Sequence, residues 1–223
     1  MPQRHEEKYI IDYRQYAILK NRAMGVLTPD PNGISGNYVI TSLYLDDPLD
    51  SALDEKLDGL PEHSKFRIRT YDYSDTVIKL ERKDKHGILT EKRSAGITRD
   101  QLPYLDGVGT DLSRFTGSAY DLAVQIQANA LSPCIAVRYR RDAFLFAGSD
   151  LRLTFDTELE SIAPDPDALF SHEVRGLPVL KPNEVIMEIK YGSHIPSFLR
   201  KLTAVQCKQL SVSKYALCRE IMR

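Results

Sequence analysis

The chain has 223 residues, 42% of them hydrophobic, and its 30 Lys and Arg against 31 Asp and Glu give a formal net charge of −1. This length and composition predict one domain over residues 1–223, and the near-neutral charge argues against nucleic acid or an acidic membrane surface as a partner. No apolar run reaches the roughly 18 residues that cross a bilayer, and the N-terminus lacks the apolar region of a signal peptide. We therefore predict a cytoplasmic protein without a membrane span.

Strands and helices alternate unevenly along the chain. Eight segments combine period-two alternation with flanking turn residues and are predicted as strands, in chain order 4–12, 37–47, 65–71, 76–83, 88–94, 134–146, 151–159 and 184–192. Helical periodicity and capping residues predict helices at 13–24, at 50–63 (a short helix or a polar loop), after Thr98, at 121–131, from Pro196 to about Val205, and from Ser211 or Val212 to about Met222. Short turns between the third, fourth and fifth strands indicate antiparallel hairpins.

Several of the predicted strands carry a charged residue at every second position. These positions are Arg67 and Arg69, then Lys79, Glu81 and Lys83, and later Glu188 and Lys190. Because side chains on a strand alternate between its faces, each of these strands has one apolar and one charged face. On a single strand this pattern marks a solvated face, but several such strands in one domain could close around a common charged interior. We therefore predict an α+β fold: a closed, mostly antiparallel β-barrel of about eight strands with peripheral helices, able to hold a polyanion.

The same parity argument sorts the neighbouring basic residues. Lys92 and Arg93 point to opposite faces, so one of them faces the interior, and the pattern does not say which. Arg138 and Arg140 have the opposite parity to Arg141 and are predicted to lie outside.

Eight short motifs, in this order, resemble one known family. They are EKY at 7–9, SLYLDD at 42–47, FRIRTY at 66–71, LERK at 80–83, YRRDAF at 139–144, RLTFDTEL at 152–159, MEIKY at 187–191 and SKY at 213–215. Together they resemble the VTC-type polyphosphate polymerase domain, one of the triphosphate tunnel metalloenzymes, which include the CYTH phosphatases. The resemblance implies a closed antiparallel barrel around a basic tunnel.

The resemblance also implies roles for individual residues. Phosphate-binding residues of the catalytic centre would be Lys8, Arg67, Arg69, Lys83, Arg141 and Arg152. Further substrate contacts would come from Lys79, Lys190, Ser213 and Lys214. The metal-binding carboxylate would be Glu188, with Glu6 and Glu81 as further acids. Guanidinium forks and ammonium groups suit phosphate oxygens, and carboxylates suit Mg²⁺ or Mn²⁺.

The chemistry that the resemblance implies is phosphoryl transfer from ATP or another triphosphate to polyphosphate, with a divalent metal, Mn²⁺ or Mg²⁺. Such transfer depends on positioning and charge neutralisation, so no Ser/His/Asp nucleophile is expected. Glu6 adds an acid near Lys8 on the first strand, and this resembles the acidic strand of CYTH-type hydrolases. A metal-dependent triphosphatase therefore stays an alternative. A non-catalytic polyphosphate-binding module is the third reading. The acceptor, the nucleotide preference and any protein partners stay open.

Overall fold

The computed structural model describes residues 5–87, 89–192, 197–203, 208–209 and 213–223. Within these residues the strands are β1 (His5–Asp12), β2 (Thr28–Pro29), β3 (Asn37–Asp46), β4 (Glu62–Tyr71), β5 (Ser74–His86), β6 (Leu89–Ile97), β7 (Ser132–Leu145), β8 (Arg152–Ile162), β9 (Leu177–Pro178), β10 (Glu184–Tyr191) and β11 (Lys208–Gln209). The α-helices are α1 (Tyr13–Met24), α2 (Ser51–Leu57), α3 (Gly117–Ala128), α4 (Ser197–Leu202) and α5 (Lys214–Met222). Short 3-10 helices occupy Arg99–Tyr104, Gly107–Gly109, Leu112–Arg114 and Pro166–Leu169.

Each segment that was predicted as a strand overlaps one of the longer strands, and several of these strands extend beyond the predicted bounds. Asp12 caps α1 as predicted: the Gln15 N–H donates to Asp12 Oδ1 over 2.7 Å, and the Asp12 N–H donates to Gln15 Oε1 over 2.9 Å. The helix predicted over 121–131 begins earlier, at Gly117, and ends earlier, at Ala128, because Asn129 is its C-cap and Ala130 takes a positive φ of 51°. The predicted helix boundaries at Pro196, Val205, Ser211 and Val212 lie outside the described residues. Of the residues described, no helix is long and apolar enough to cross a membrane.

The strands form one sheet whose hydrogen-bonded order is β11-β1-β10-β8-β7-β3-β4-β5-β6, with β2 on β7 and β9 on β8. This order has two ends, and no pairing joins β6 to β11 in the part of the chain that the structure describes. The prediction of a closed barrel around a tunnel is therefore wrong. Period-two charge alternation gives each strand a polar and an apolar face, and an open sheet shows the same pattern, so the alternation did not determine closure.

The chain divides into two compact units. Unit 1 comprises residues 1–39, 139–159 and 180–212, and unit 2 comprises residues 40–138, 160–179 and 213–223. Whether the chain behaves as the predicted single domain stays a prediction. Each unit has its own apolar core.

The core of unit 1 lies between α1 and the apolar face of β1, β8 and β10. Leu19 and Ala23 of α1 are fully buried in one cluster with Phe155 of β8 and Met187 of β10. Burying side chains of this size stabilises a fold by about 1.5–3 kcal/mol each. In the register of this sheet Glu188 stands opposite Lys8 on one side and Thr154 on the other, so charged and polar residues share the opposite face.

The core of unit 2 lies between α3 and the meander formed by β4, β5 and β6. Ile68 and Leu80 point to this side and pack in one cluster with Leu122 and Ile126 of α3. At the end of β3, Asp46 accepts a hydrogen bond of 2.6 Å from the buried Tyr215 hydroxyl of α5. This bond attaches the C-terminal helix to the strand.

The parity of Arg138 predicted that it lies outside, but the structure shows it buried. It is 4% exposed, and its guanidinium donates to the backbone carbonyls of Val174 and Ala168 over 2.7 Å and of Ser171 over 2.9 Å. Parity assigned the face correctly, but the segment after β8 covers that face. Because buried carbonyls need donors, Arg138 holds this segment in place.

Candidate functional site

Unit 2 presents a charged face on β4, β5 and β6, opposite its core. Its side chains stand in rows fixed by the register: Arg69 opposite Lys79, Arg67 opposite Glu81, and Lys65 opposite Lys83, which is itself opposite Lys92. Directly opposed like charges on neighbouring strands are destabilising. Two of the three rows nevertheless contain only cations, so this face is suited to a ligand with several negative charges.

Glu81 is the single carboxylate in these rows and is 1% exposed. Its Oε2 accepts from Nε of Arg67 over 2.7 Å, and Nζ of Lys92 contacts its Oε1. Burial would raise the pKa of the Glu81 carboxyl, but the charges of Arg67 and Arg69 outweigh burial and lower the pKa to about 2. The carboxylate therefore stays ionised and balances part of the basic charge around it.

The structure also answers the question of Lys92 and Arg93. Lys92 contacts Glu81 and so belongs to the charged face, whereas Arg93 is half exposed and pairs with Glu91 at 3.3 Å. Lys65 was missed by the sequence analysis, although it precedes Arg67 with the same parity. The period-two rule, extended by one step, would have found it.

Ser213 and Lys214, predicted as substrate contacts, stand at the start of α5. Ser213 is the N-cap of α5 and accepts from the Ala216 N–H over 3.3 Å. Its hydroxyl is also 3.3 Å from Nζ of Lys65, whose ammonium lies 4.7 Å from the centre of the Tyr215 ring. The SKY motif therefore has a structural part, because Ser213 caps the helix and Tyr215 anchors it.

Unit 1 presents a second charged face, formed by β1, β10, β8 and the part of β7 that carries Arg141, opposite the core of that unit. It brings together the predicted residues Glu6, Lys8, Arg141, Arg152, Glu188 and Lys190. Nζ of Lys8 is 2.7 Å from Glu6 Oε1, and Nζ of Lys190 is 3.8 Å from the other oxygen of Glu6. This face thus has a more even mixture of acids and bases than the face in unit 2.

Arg141 and Glu188 form the most buried part of the face in unit 1. Nε and Nη2 of Arg141 donate to the two carboxylate oxygens of Asp156 over 2.6 and 2.7 Å. Burial would lower the pKa of Arg141, but Asp156 raises it well above the ordinary value. Glu188 is 4% exposed, with its Oε2 3.5 Å from Nη2 of Arg141 and 3.6 Å from Nζ of Lys190. The bidentate pair with Asp156 fixes Arg141 beside Glu188.

Arg152 is held by two residues that the sequence analysis missed, Asp30 and Tyr38. Its Nη2 donates to Asp30 Oδ2 and to the Tyr38 hydroxyl, both over 2.6 Å. The Tyr38 hydroxyl donates in turn to Asp30 Oδ2 over 3.2 Å. Asp30 lies in the turn before β3, where no periodicity marks its role.

The turn that carries Asp30 is itself attached to β7. The Asp30 N–H donates to the carbonyl of Ala143, and the Ala143 N–H donates to the carbonyl of Gly36, both over 2.9 Å. Gly36 has φ 78°, and a Cβ there would lie 2.6 Å from the Ala143 oxygen. Glycine at position 36 therefore permits the close approach that brings Asp30 to Arg152.

The acids present suit a divalent metal that is shared with a substrate. In the described ranges, no three His, Cys, Asp or Glu side chains form a cluster that would hold a metal ion by themselves. Mg²⁺, however, is commonly bound through one or two carboxylates together with phosphates and water. Glu188 and Glu6, both near Lys190, fit that smaller donor set. Glu81 is in unit 2 and is held by two cations, and its metal role stays a prediction.

Comparisons with known proteins agree with the motifs. The VTC domain family matches residues 3–223. Among solved structures, the PH1819 protein of Pyrococcus horikoshii covers 98% of this chain and 99% of its own, with a TM-score of 0.54 and 14% identity. A Bacillus halodurans protein provisionally described as an adenylate cyclase covers 86% of this chain and 83% of its own, with a TM-score of 0.48 and 13% identity. A search of curated proteins found no match.

Proposed function

Because the chain belongs to the VTC domain family, a triphosphate-related family, we propose that it is a polyphosphate polymerase-like phosphotransferase. It binds ATP or another triphosphate, extends polyphosphate and uses a divalent metal, Mn²⁺ or Mg²⁺. The residues that would carry this activity are those on the charged faces of the two units.

The observation that carries the proposal is the set of cation-only rows in unit 2. Arg69 opposes Lys79, and Lys65 opposes Lys83. All four of these residues are half-buried. Each like-charge pair costs a few tenths of a kcal/mol or more in the ligand-free protein, and a bound polyanion would turn that repulsion into attraction. A polyphosphate, with one negative charge or more per phosphate, matches such a row of cations.

The chain's own side chains would act mainly by positioning and charge neutralisation. Arg67 and Arg69 offer planar forks for phosphate oxygens, and the lysines add compact charges that neutralise oxygens as negative charge develops. Glu188 and Glu6 would hold the metal, which when bound supplies further charge neutralisation at the phosphates. Arg141, fixed by Asp156, would hold the Glu188 carboxylate in place.

A metal-dependent triphosphatase is the second candidate, and Glu6 favours it. This acid sits beside Lys8 at 2.7 Å and adds negative charge to the face in unit 1. An additional carboxylate there would hold metal and water more readily than a second anionic chain. The two candidates use the same residues and differ in the acceptor.

The test is to incubate the purified protein with ATP and Mn²⁺ or Mg²⁺ and to resolve free phosphate, ADP and long-chain polyphosphate. Long chains support the polymerase, and free phosphate without chains supports the hydrolase. No turnover with any metal, while tripolyphosphate still raises the Tm, would overturn both and leave a binding module.

Glu188→Gln sharpens this test. We expect turnover to fall by at least a hundredfold, because a neutral amide is a poor ligand for a hard cation. Metal-free binding of tripolyphosphate should be kept or strengthened, because the change removes a negative charge beside Arg141 and Lys190. Glu158→Gln is the control, since Glu158 is 62% exposed and pairs with Arg140 at 3.4 Å. Unchanged turnover in Glu188→Gln would contradict the assignment of Glu188.

A further inference from the structure

The segment after β8, residues 163–176, forms a fixed platform on the core side of unit 2. Arg138 donates to three of its backbone carbonyls, and the buried Thr70 hydroxyl donates to a fourth, that of Leu169, over 2.8 Å. Thr70 has the parity of Ile68, so the platform lies on the side of β4 opposite the charged face. Because its backbone is held at four carbonyls, the segment presents its outer side chains in a preformed arrangement.

An open cavity of about 470 Å³ lies on this platform. We call it the Phe170 pocket, and its lining residues are Arg99, Asp167, Phe170, Ser171, Glu173 and Val174. All of them belong to unit 2, and none belongs to the charged face. The volume is within the range of roughly 300–1,000 Å³ that ligand sites have. The pocket combines an aromatic ring with two carboxylates and one guanidinium.

The guanidinium of Arg99 covers the aromatic ring but is weakly held. Its central carbon lies 4.3 Å from the centre of the Phe170 ring. Its Nη2 is 3.8 Å from Oδ1 of Asp167, which is beyond hydrogen-bond distance, and the two side chains are 55% and 76% exposed. Exposed ion pairs of this kind contribute little to stability. Arg99 therefore shows that the ring accepts a guanidinium, and it can leave the ring at little cost.

Another arginine of unit 2 shows the same arrangement with its hydrogen bond made. The guanidinium carbon of Arg114 lies 4.6 Å from the centre of the Tyr104 ring, and its Nε donates to Oδ2 of Asp111 over 3.3 Å. In the Phe170 pocket the corresponding bond to Asp167 is not made. Within the described ranges, the carboxylate of Glu173 also makes no hydrogen bond or ion pair. Both carboxylates of the pocket are thus available to a cation.

The charge around the pocket favours a cation that belongs to a polypeptide. Two further exposed acids, Asp100 and Asp165, flank the lining residues in the sequence, against one exposed base, Arg175. Acids therefore outnumber bases in and beside the pocket. A free amino acid would bring its own carboxylate into this acidic surrounding, whereas a side chain within a polypeptide brings only its cation.

We propose that the Phe170 pocket binds an arginine side chain from an extended segment of a partner protein. The partner's guanidinium replaces that of Arg99 over the ring and donates to the carboxylates of Glu173 and Asp167, for which its planar fork is suited. Arg99 is an internal competitor that covers the ring until the partner binds. The partner lies opposite the charged face and leaves that face free, so the inference does not rest on the proposed function.

The first test uses a blocked Ser-Arg-Ser peptide as the probe. It is titrated to millimolar concentration into the ¹⁵N-labelled full chain, and the backbone amide signals of residues 170–174 are followed by NMR. We expect these signals to shift with the arginine peptide and to stay in place when citrulline, the neutral isostere, replaces arginine. Free arginine should bind more weakly than the peptide. Unshifted signals, equal shifts with citrulline, or tighter binding of free arginine would overturn the proposal.

Two substitutions at exposed positions should have opposite effects on the affinity for this peptide. Glu173→Gln should weaken binding about twofold to fivefold, because it removes a carboxylate that pairs with the guanidinium. Arg99→Gln should strengthen binding about twofold to fivefold, because the internal competitor no longer covers the ring. Arg114→Gln is the matched control and should bind as the wild type does. Any other pattern overturns the proposal, including a weaker Arg99→Gln protein.

Sedimentation of the protein without peptide tests a second copy of this chain as the occupant. We expect Glu173→Gln to leave the oligomeric state unchanged. Self-association that this substitution abolishes would assign the pocket to an arginine of a second copy and would overturn the partner protein. None of these experiments contains a nucleotide or a phosphate, so their outcome is separate from that of the phosphotransferase assay.

Discussion

Replacing Glu81 by Gln removes the single carboxylate from the charged rows of unit 2. In the native protein Glu81 accepts from Arg67 and contacts Lys92, and its pKa falls from 4.5 to about 2. A carboxyl whose folded-state pKa lies below its unfolded value stabilises the fold above pH 4.5, and that contribution is lost as the pH falls toward 2. The difference of about 2.5 pH units corresponds to about 3 kcal/mol at neutral pH.

We therefore expect Glu81→Gln to lower the free energy of unfolding by about 3 kcal/mol at pH 7. The difference from the wild type should shrink between pH 4.5 and pH 2, because protonation neutralises Glu81 in the wild type as well. Urea denaturation followed by circular dichroism across pH 2.5–7 measures both quantities. A difference that stays constant over this range would refute the electrostatic reasoning.

The same variant tests whether the face binds polyanions. With its only acid gone, the face should bind tripolyphosphate at least tenfold more tightly without metal, and saturating tripolyphosphate should restore much of the lost stability. Unchanged metal-free affinity together with lost metal-dependent turnover would instead identify Glu81 as a metal ligand. Glu91→Gln is the matched control on β6, because Glu91 is half exposed and pairs with Arg93 at 3.3 Å. Its effect should stay below about 0.5 kcal/mol.

Two further substitutions probe unit 2. Arg138→Met should lower the free energy of unfolding by about 3 kcal/mol or more and open the segment after β8 to proteolysis, because one buried and two part-buried carbonyls lose their donor. Protection of that segment equal to the wild type would contradict this. Lys79→Gln should raise the free energy of unfolding by about 0.2–1 kcal/mol, since Lys79 opposes Arg69, and should weaken tripolyphosphate binding severalfold in calorimetry. A destabilised Lys79→Gln protein would mean that the row is not repulsive.

Side-chain parity carried much of what the sequence predicted about the candidate site. Arg67, Arg69 and Glu81 share a face in the structure because strand geometry forces every second side chain to the same side. The rule is local, so it holds whatever the rest of the sheet does. The local nature of the rule also explains why the face of Lys92 was left undecided. The contact of Lys92 with Glu81 lies on a neighbouring strand, and its own segment does not show it.

Parity failed where the answer depends on what covers a face. Arg138 points away from Arg141, as predicted, but the segment after β8 closes over it and turns an expected surface arginine into a buried donor. The prediction of a closed sheet failed for a similar reason, because closure depends on pairing between strands that are distant in sequence. Asp30 was missed because a turn, rather than a periodic element, brings it to Arg152, and Tyr38 on β3 was missed because its contact depends on that turn.

The charged rows are the part of this sequence that folding alone does not explain. The core of unit 2 needs only the apolar face of β4, β5 and β6, and solvated faces normally alternate charges across strands, since opposed like charges are destabilising. Arg69 opposite Lys79 and Lys65 opposite Lys83 break that rule on adjacent strands. Natural sequences depart from such local rules mainly where a site requires it. Glu81 balances part of this charge, and the opposed cations of these rows are the feature of unit 2 that supports the proposed anionic ligand.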